Sequence, residues 1–333
     1  MSGSQLRWEL ADAAGPQAKL FDESIFEREP GRGEFRGLEF LHVRAKRIIN
    51  DLGGTPFGFR YTINAYRGCS HACIFCFARP THAYLDLNIA DDFDSKIVVK
   101  VNAVDRVKAE LHPRKWAGDA IAMGTNTDPY QRCEGKYRLT QGIIEALVER
   151  ANPFSILTKS TLILRDLDLL VEASKRTDVR VNFSIGTLEH EVWRLTEPGT
   201  PHPRQRVKAV EALNNAGVSC GVLMAPILPG LSDRPEQLEA VVRACKDAGA
   251  RSITPVLLHL GRGTKDVFYD RLAQSHPELL AHYRRMYGSQ KYAPKADRDR
   301  TTAMVDKMIG KRVRIRSRTP TPRDQQPTQL NLL

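Results

Sequence analysis

The chain has 333 residues, of which 41% are hydrophobic and 27% charged, with a formal net charge of +11. That composition is ordinary for a soluble globular protein of one large or two small domains, and no run of eighteen apolar residues is present to span a membrane. The start, MSGSQLRWELADAAG, lacks the basic stretch and apolar run of a signal peptide, so a cytoplasmic location is expected.

Residues 1–54 are mixed and charged with few clear periods, and are read as an N-terminal extension. From about residue 60, short apolar runs rich in β-branched residues alternate with amphipathic helical patterns. The predicted strands are 61–66, 97–103, 119–125, 154–160, 179–187 and 218–227, with 253–258 as a seventh run. Between them fall helical patterns such as LTQGIIEALVERA, opened by Thr140, and PRQRVKAVEALNNAG, closed by Gly217. Pro235 and Gly249 bracket a further helix. The strand runs are nearly continuous in apolar residues, as parallel strands covered on both faces require. The alternation predicts an α/β fold, either a β/α barrel or a doubly wound sheet, in a core domain spanning 55–290. In a barrel the chemistry sits at the C-terminal ends of the strands. Residues 291–333 are read as a C-terminal helix and a basic, flexible tail holding Lys311, Arg312, Arg314, Arg316, Arg318 and Arg323. The positive charge suits a nucleic acid or another anionic partner, or only a solvated tail.

The sharpest signal is GCSHACIFCF at 68–77, in the loop after the first strand. Cys69, Cys73 and Cys76 stand at i, i+4 and i+7, close enough to converge on one small object if the chain wraps around it. Thiolates suit soft metal centres, both iron–sulfur clusters and zinc. A structural zinc site wants four ligands, and His71 or His82 is within reach as the fourth. An iron–sulfur cube held by only three thiolates keeps one iron open for a reacting ligand.

This C-x3-C-x2-C motif, with Phe75 just before the third cysteine and β/α units after it, resembles the radical S-adenosylmethionine (SAM) superfamily. Within it, GTNTDPYQ (124–131), LTKS (157–160), NFSIGT (182–187), TEPGTPHPRQR (196–206) and APILPGLSD (225–233) resemble the branch containing spore photoproduct lyase. The resemblance implies a partial, TIM-like (β/α)6 barrel and a [4Fe-4S] cluster on Cys69, Cys73 and Cys76. It implies reductive cleavage of SAM to a 5′-deoxyadenosyl radical, with an external reductant of the flavodoxin or ferredoxin type. It also implies that Phe75, Thr127, Lys159 and Ser184 bind SAM, with Lys159 opposite the methionyl carboxylate. Pro226 and Ile227 are expected beside the adenine.

The resemblance breaks at the hydrogen-returning thiol of spore photoproduct lyase, whose position falls on Thr125 here, and at its tyrosines, replaced by Phe75 and Phe77. Cys133 is the nearest substitute donor. Lesion repair is therefore not carried over, and the substrate stays open, nucleic acid included. Cys220 and Cys245 read as small buried hydrophobes. Asp128-Pro129 reads as a turn, Tyr130, Gln131 and Arg132 as mouth-lining, His259 as structural, Glu197 as part of a turn with a possible pocket carboxylate, and Arg206 as a solvated helix residue. The competing classes are a lesion lyase, a zinc-stabilised nucleic-acid-binding module and an electron carrier.

Overall fold

The computed structural model describes residues 25–53 and 59–310. The basic tail, residues 1–24 of the N-terminal extension, and the junction at 54–58 lie outside the described residues.

Eleven strands form two sheets among the described residues. The larger contains β3 (Ile49–Asp51), β4 (Tyr61–Ile63), β7 (Ile121–Met123), β8 (Phe154–Thr158), β9 (Val179–Ser184), β10 (Ser219–Ile227) and β11 (Ile253–Leu257). Its order is β11-β10-β9-β8-β7-β4-β3; neighbours from β4 to β11 pair in parallel, and β3 is an antiparallel edge on β4. The two edge strands do not pair with each other, so the barrel is open. Six parallel strands are present, as expected, but their membership differs from the sequence reading.

The run at 97–103 is not the second barrel strand. As β6 (Lys96–Lys100) it joins β1 (Glu27–Pro30), β2 (Glu39–Val43) and β5 (Tyr66–Arg67) in a separate sheet of order β1-β2-β6-β5. The physical reason lies at Asn64–Ala65, where the run 61–66 breaks. The Lys100 ammonium donates to the Asn64 carbonyl at 2.7 Å, and the chain leaves one sheet for the other. The run at 253–258, β11, fills the sixth place.

Strands β8 and β9 alternate in burial rather than being covered on both faces. Phe154 and Ile156 are buried toward the helices, while Ser155, Leu157, Arg180 and Asn182 face the other way. Those four, with Ala122, Leu223 and Thr254, line one cavity of about 1260 Å³. Strands β7 to β11 therefore curve around a lumen, and its polar residues replace the helix layer that a flat doubly wound sheet would bear.

The helices pack outside by their apolar stripes. In α4 (Leu139–Glu149) the buried set Leu139, Ile143, Ile144 and Leu147 recurs at helical spacing. Each such side chain contributes about 1.5–3 kcal/mol by leaving water. Helix α7 (Pro203–Asn215) starts with a proline and ends before Gly217, whose φ is +88°, as the sequence signals. The last helix, α11 (Lys295–Ile309), packs on β11 and on α8 (Pro235–Asp247).

Candidate active site

The cysteine loop leaves β5 through Gly68, whose φ is +79°. A Cβ there would lie 2.9 Å from the Lys96 carbonyl oxygen and 3.0 Å from that of Phe93, so only glycine fits. Cys69, Cys73 and Cys76 are free thiols lining one cleft at the C-terminal ends of the strands.

Burial pushes all three thiols up. Asp128 pushes Cys69 further, whereas Lys159 opposes the shift at Cys73 ahead of the contrary push from Glu197, and Arg79 opposes it at Cys76. The three also disfavour one another's ionisation. Yet the Asp128 amide donates toward Cys69 and the Ala78 amide toward Cys76, which favours thiolate. Bound cationic iron is what would resolve this conflict, because a coordinating thiol is deprotonated outright. The donor set fits an iron–sulfur cluster. Of the proposed fourth zinc ligands, His71 lies with Nδ1 3.4 Å from Asp128, and His82 gives Nε2 to the Lys96 carbonyl at 3.0 Å and does not line the cleft. Among the described residues no group of three or more His, Cys, Asp or Glu side chains is arranged to hold a single metal ion.

The loop is held from every side. Buried Gln131 accepts from the Ser70 amide at 3.0 Å and donates to the Gly68 carbonyl at 3.0 Å. Thr127 donates its hydroxyl to the same carbonyl at 2.7 Å. Arg79, 1% exposed, donates twice to the Cys73 carbonyl and pairs with Asp94 at 2.8 Å. Burial raises the Asp94 carboxyl to about 6 despite that partner. The Thr264 hydroxyl donates to the Cys76 carbonyl at 3.0 Å. Gly199 donates its amide to the His71 carbonyl at 3.1 Å, and a Cβ there would lie 2.1 Å from the Ser70 carbonyl oxygen.

Facing the cysteines is a buried charge network. Lys159 Nζ donates to Ser184 Oγ at 2.7 Å, pairs with Glu197 at 2.6 Å and lies 5.5 Å from the Phe75 ring centroid. Glu197 pairs also with Arg206 at 2.6 Å. Burial alone would raise the Glu197 carboxyl, but Arg206 and Lys159 hold it below its usual value. Two cations against one carboxylate leave the network one positive charge in excess, which an anionic group in the cleft would balance. Asp128 ties the two walls together. Its carboxylate accepts from the Thr158 hydroxyl at 2.7 Å and from the Lys159 and Tyr130 amides at 2.7 and 2.9 Å, with His71 beside it. Burial again opposes ionisation, and His71 and the hydrogen bonds outweigh it, so the carboxyl is lowered.

The structure thus brings Cys69, Cys73, Cys76, Phe75, Thr127, Lys159 and Ser184 to one cleft. Thr127 spends its hydroxyl on the cysteine loop, where it also accepts from Gln131 at 2.9 Å. Ser184 donates to the Ala225 carbonyl at 2.7 Å. Pro226 lines the cleft, whereas Ile227 is fully buried and does not. Cys133 is fully buried at the start of α3 (Glu134–Tyr137) and does not line the cleft. Thr125 lines it, sharing hydrogen bonds with the Asn64 side chain. Three other readings need correction. Tyr130 is buried, bonded to Asp166 at 3.0 Å, and Gln131 lies behind the cysteine loop, so neither is mouth-lining. Arg206 is fully buried rather than solvated, because Glu197, the Ser184 carbonyl, the Pro201 carbonyl and Thr200 use its donors. Asp128 does form a turn, through the Tyr130 amide, but its larger role is the tie between the two walls. The motif GTNTDPYQ contained Asp128 and Gln131, but their partners lie 31 and 61–63 residues away in the chain.

The sequence model of the Radical SAM superfamily matches residues 63–245. The chain belongs to that superfamily. It is 43% identical over 279 residues to uncharacterized protein Rv2578c of Mycobacterium tuberculosis, an alignment covering 84% of this chain and 82% of the relative. It is 33% identical over 196 residues to uncharacterized protein MJ0683 of Methanocaldococcus jannaschii, covering 59% and 70%. Among solved structures, a mutant of spore photoproduct lyase superposes with a TM-score of 0.61 at 18% identity, covering 88% of this chain and 93% of that one. Another mutant of that enzyme, with bound AdoMet and dinucleoside spore photoproduct, gives 0.52 at 20% identity, covering 76% and 72%. These likenesses establish the shared fold.

Proposed function

We propose that the protein binds a [4Fe-4S] cluster through Cys69, Cys73 and Cys76 and SAM through the facing wall, and acts as a radical SAM enzyme on a substrate held in the lumen. The observation that carries this reading is that three free thiols line one cleft together with Lys159, which the buried Glu197–Arg206 pair holds from behind. At such a site, one electron from an external flavodoxin- or ferredoxin-type reductant cleaves SAM and supplies a 5′-deoxyadenosyl radical for hydrogen abstraction. Lys159, fixed by Ser184 and Glu197, presents its remaining N–H to the methionyl carboxylate. Phe75 and Pro226 offer apolar surface, and Gln131, Thr127 and Gly199 keep the cysteine loop in register. The resemblance to spore photoproduct lyase puts Thr125, which lines the cleft, at the position of the hydrogen-returning thiol, and a hydroxyl does not do that, so lesion repair by that route is not proposed.

The test is anaerobic reconstitution and dithionite reduction, with electron paramagnetic resonance spectra taken with and without SAM and an assay for 5′-deoxyadenosine. A reduced-cluster signal that shifts on adding SAM, with 5′-deoxyadenosine released, supports the reading. A colourless zinc protein, or a cluster indifferent to SAM, overturns it.

Lys159→Met is expected to weaken SAM binding about tenfold to a hundredfold, the worth of a charge-assisted contact, while iron content is unchanged. Equilibrium dialysis with labelled SAM measures it, and an unchanged Kd would assign the carboxylate elsewhere.

A further inference from the structure

Segments 44–51, 60–61 and 102–119 carry eight Lys and Arg against four Asp and Glu. Hydrogen bonds and a ring contact join them, and none of their residues lines the cleft. The Ala45 amide donates to Asn102 at 2.8 Å, and Asn102 returns a bond to the Ala45 carbonyl at 3.1 Å. The Ile48 and Ile49 amides both donate to the Glu110 carboxylate, at 2.9 and 3.0 Å. Trp116 packs on Tyr61 with ring centroids 4.6 Å apart, and the Arg60 guanidinium lies 5.1 Å from the same tyrosine ring centroid. Two of the four carboxylates are consumed internally: Glu110 by those amides, and Asp51 by Arg60 and the Gly53 amide. Arg47, Lys108, Arg114 and Lys115 are exposed on these segments, with Asp51, already paired to Arg60, an electrostatic neighbour of Arg47.

We propose that this face, around the β2–β3 loop, helix α2 (Ala103–Glu110) and the loop after it, binds the phosphate backbone of duplex DNA. Spread cationic heads on a helix and two loops are the footprint of phosphate contact. A duplex fits better than a single strand. Unstacked bases need open aromatic shelves, and here Tyr61 and Trp116 cover each other while Arg60 sits over Tyr61. An acidic electron carrier fits less well, because it must approach the cysteine loop. The contacts that hold that loop include those from Arg79, Thr127, Gln131, Gly199, Thr264 and the Thr196 carbonyl, none of them on this face. The inference stands whether or not the cleft carries the proposed chemistry.

The test uses the full chain and a fluorescent 20-base-pair DNA duplex, with anisotropy read from low to moderate salt. The variant Arg47→Ala/Lys108→Ala/Arg114→Ala/Lys115→Ala is compared with the parent, and equal melting temperatures certify the fold. The expected result is binding weaker by about tenfold or more at 0.1 M salt, with the log–log salt slope shallower by about 3–4, close to 0.9 per lost phosphate contact. Unchanged affinity and slope overturn the proposal and assign the binding to the tail. Equal binding and equal loss with polyglutamate overturn it in favour of unselective charge attraction. A duplex RNA of the same length bound more tightly than the DNA overturns the choice of partner. A variant slowed in reduction by flavodoxin, but not in DNA binding, assigns the face to a protein.

Discussion

Glu197→Ala should destabilise the protein more than any other single change in the cleft. The carboxylate is buried between Arg206 and Lys159, each at 2.6 Å. Its removal leaves two cations facing each other without an anion, a loss of about 3–5 kcal/mol for breaking a buried pair. For a domain of this size that lowers the melting temperature by about 10 °C. The damage should reach the cysteines. Arg206 also bonds the Pro201 and Ser184 carbonyls at 2.9 and 3.0 Å, so the carboxylate and the arginine together shape the 197–201 turn. That turn holds the cysteine loop through the Gly199 amide, and the Thr196 carbonyl accepts from Ile74 at 3.1 Å. Iron uptake on reconstitution should fall with stability. The effect should depend on pH in one direction. The carboxyl is lowered in the folded state, so its contribution is present above the unfolded value of about 4.5 and is lost as pH falls through the folded value. The gap between parent and variant should therefore close in acid. Calorimetry at neutral pH and in steps downward from the unfolded value of 4.5 follows the closing gap, and a variant melting within about 2 °C of the parent at neutral pH would refute the network's role.

Asp128→Asn should separate cluster retention from folding. The substitution keeps the shape, and one amide oxygen can still accept from Thr158 and Tyr130. The new NH2 then faces the Lys159 amide and His71, where an acceptor stood at 2.7 and 3.4 Å. One buried donor left unmet costs about 1–3 kcal/mol. The metal site should be spared. The Asp128 amide that donates toward Cys69 is backbone and stays, and the carboxylate charge that is lost is one that disfavours the Cys69 thiolate. Melting should therefore fall while iron affinity does not, which calorimetry and competition of the reconstituted protein with an iron chelator measure. Iron held more weakly by about tenfold or more would assign Asp128 a part in holding the cluster.

The cysteine loop was legible from the chain alone, because its information is local. Three thiols at fixed spacing, a glycine before them and a strand before that define one loop and one kind of donor, whatever surrounds it. Strand-end hydroxyls and Lys159 were legible for the same reason: the alternation of strand and helix says which end of each strand faces the site. The number of parallel strands was also legible, but not their identity. The run Lys96–Lys100 has the same composition as a barrel strand, and only its pairing with β2 and β5 takes it into the other sheet.

What the tertiary structure decided were the partners. Glu197 and Arg206 look like a turn residue and a helix-face arginine in the sequence, and join Lys159 in one network, with Glu197 between the two cations, only when α7 packs its first turn under β9. Cys133 is close in sequence to Thr127, yet the short helix that follows turns it into the core. Side-chain type and spacing are properties of the chain and survive any packing. Charge balance, burial and hydrogen-bond partners depend on segments 30–60 residues apart meeting, as Lys159 and Glu197 do across 38 residues, and no local pattern encodes that meeting.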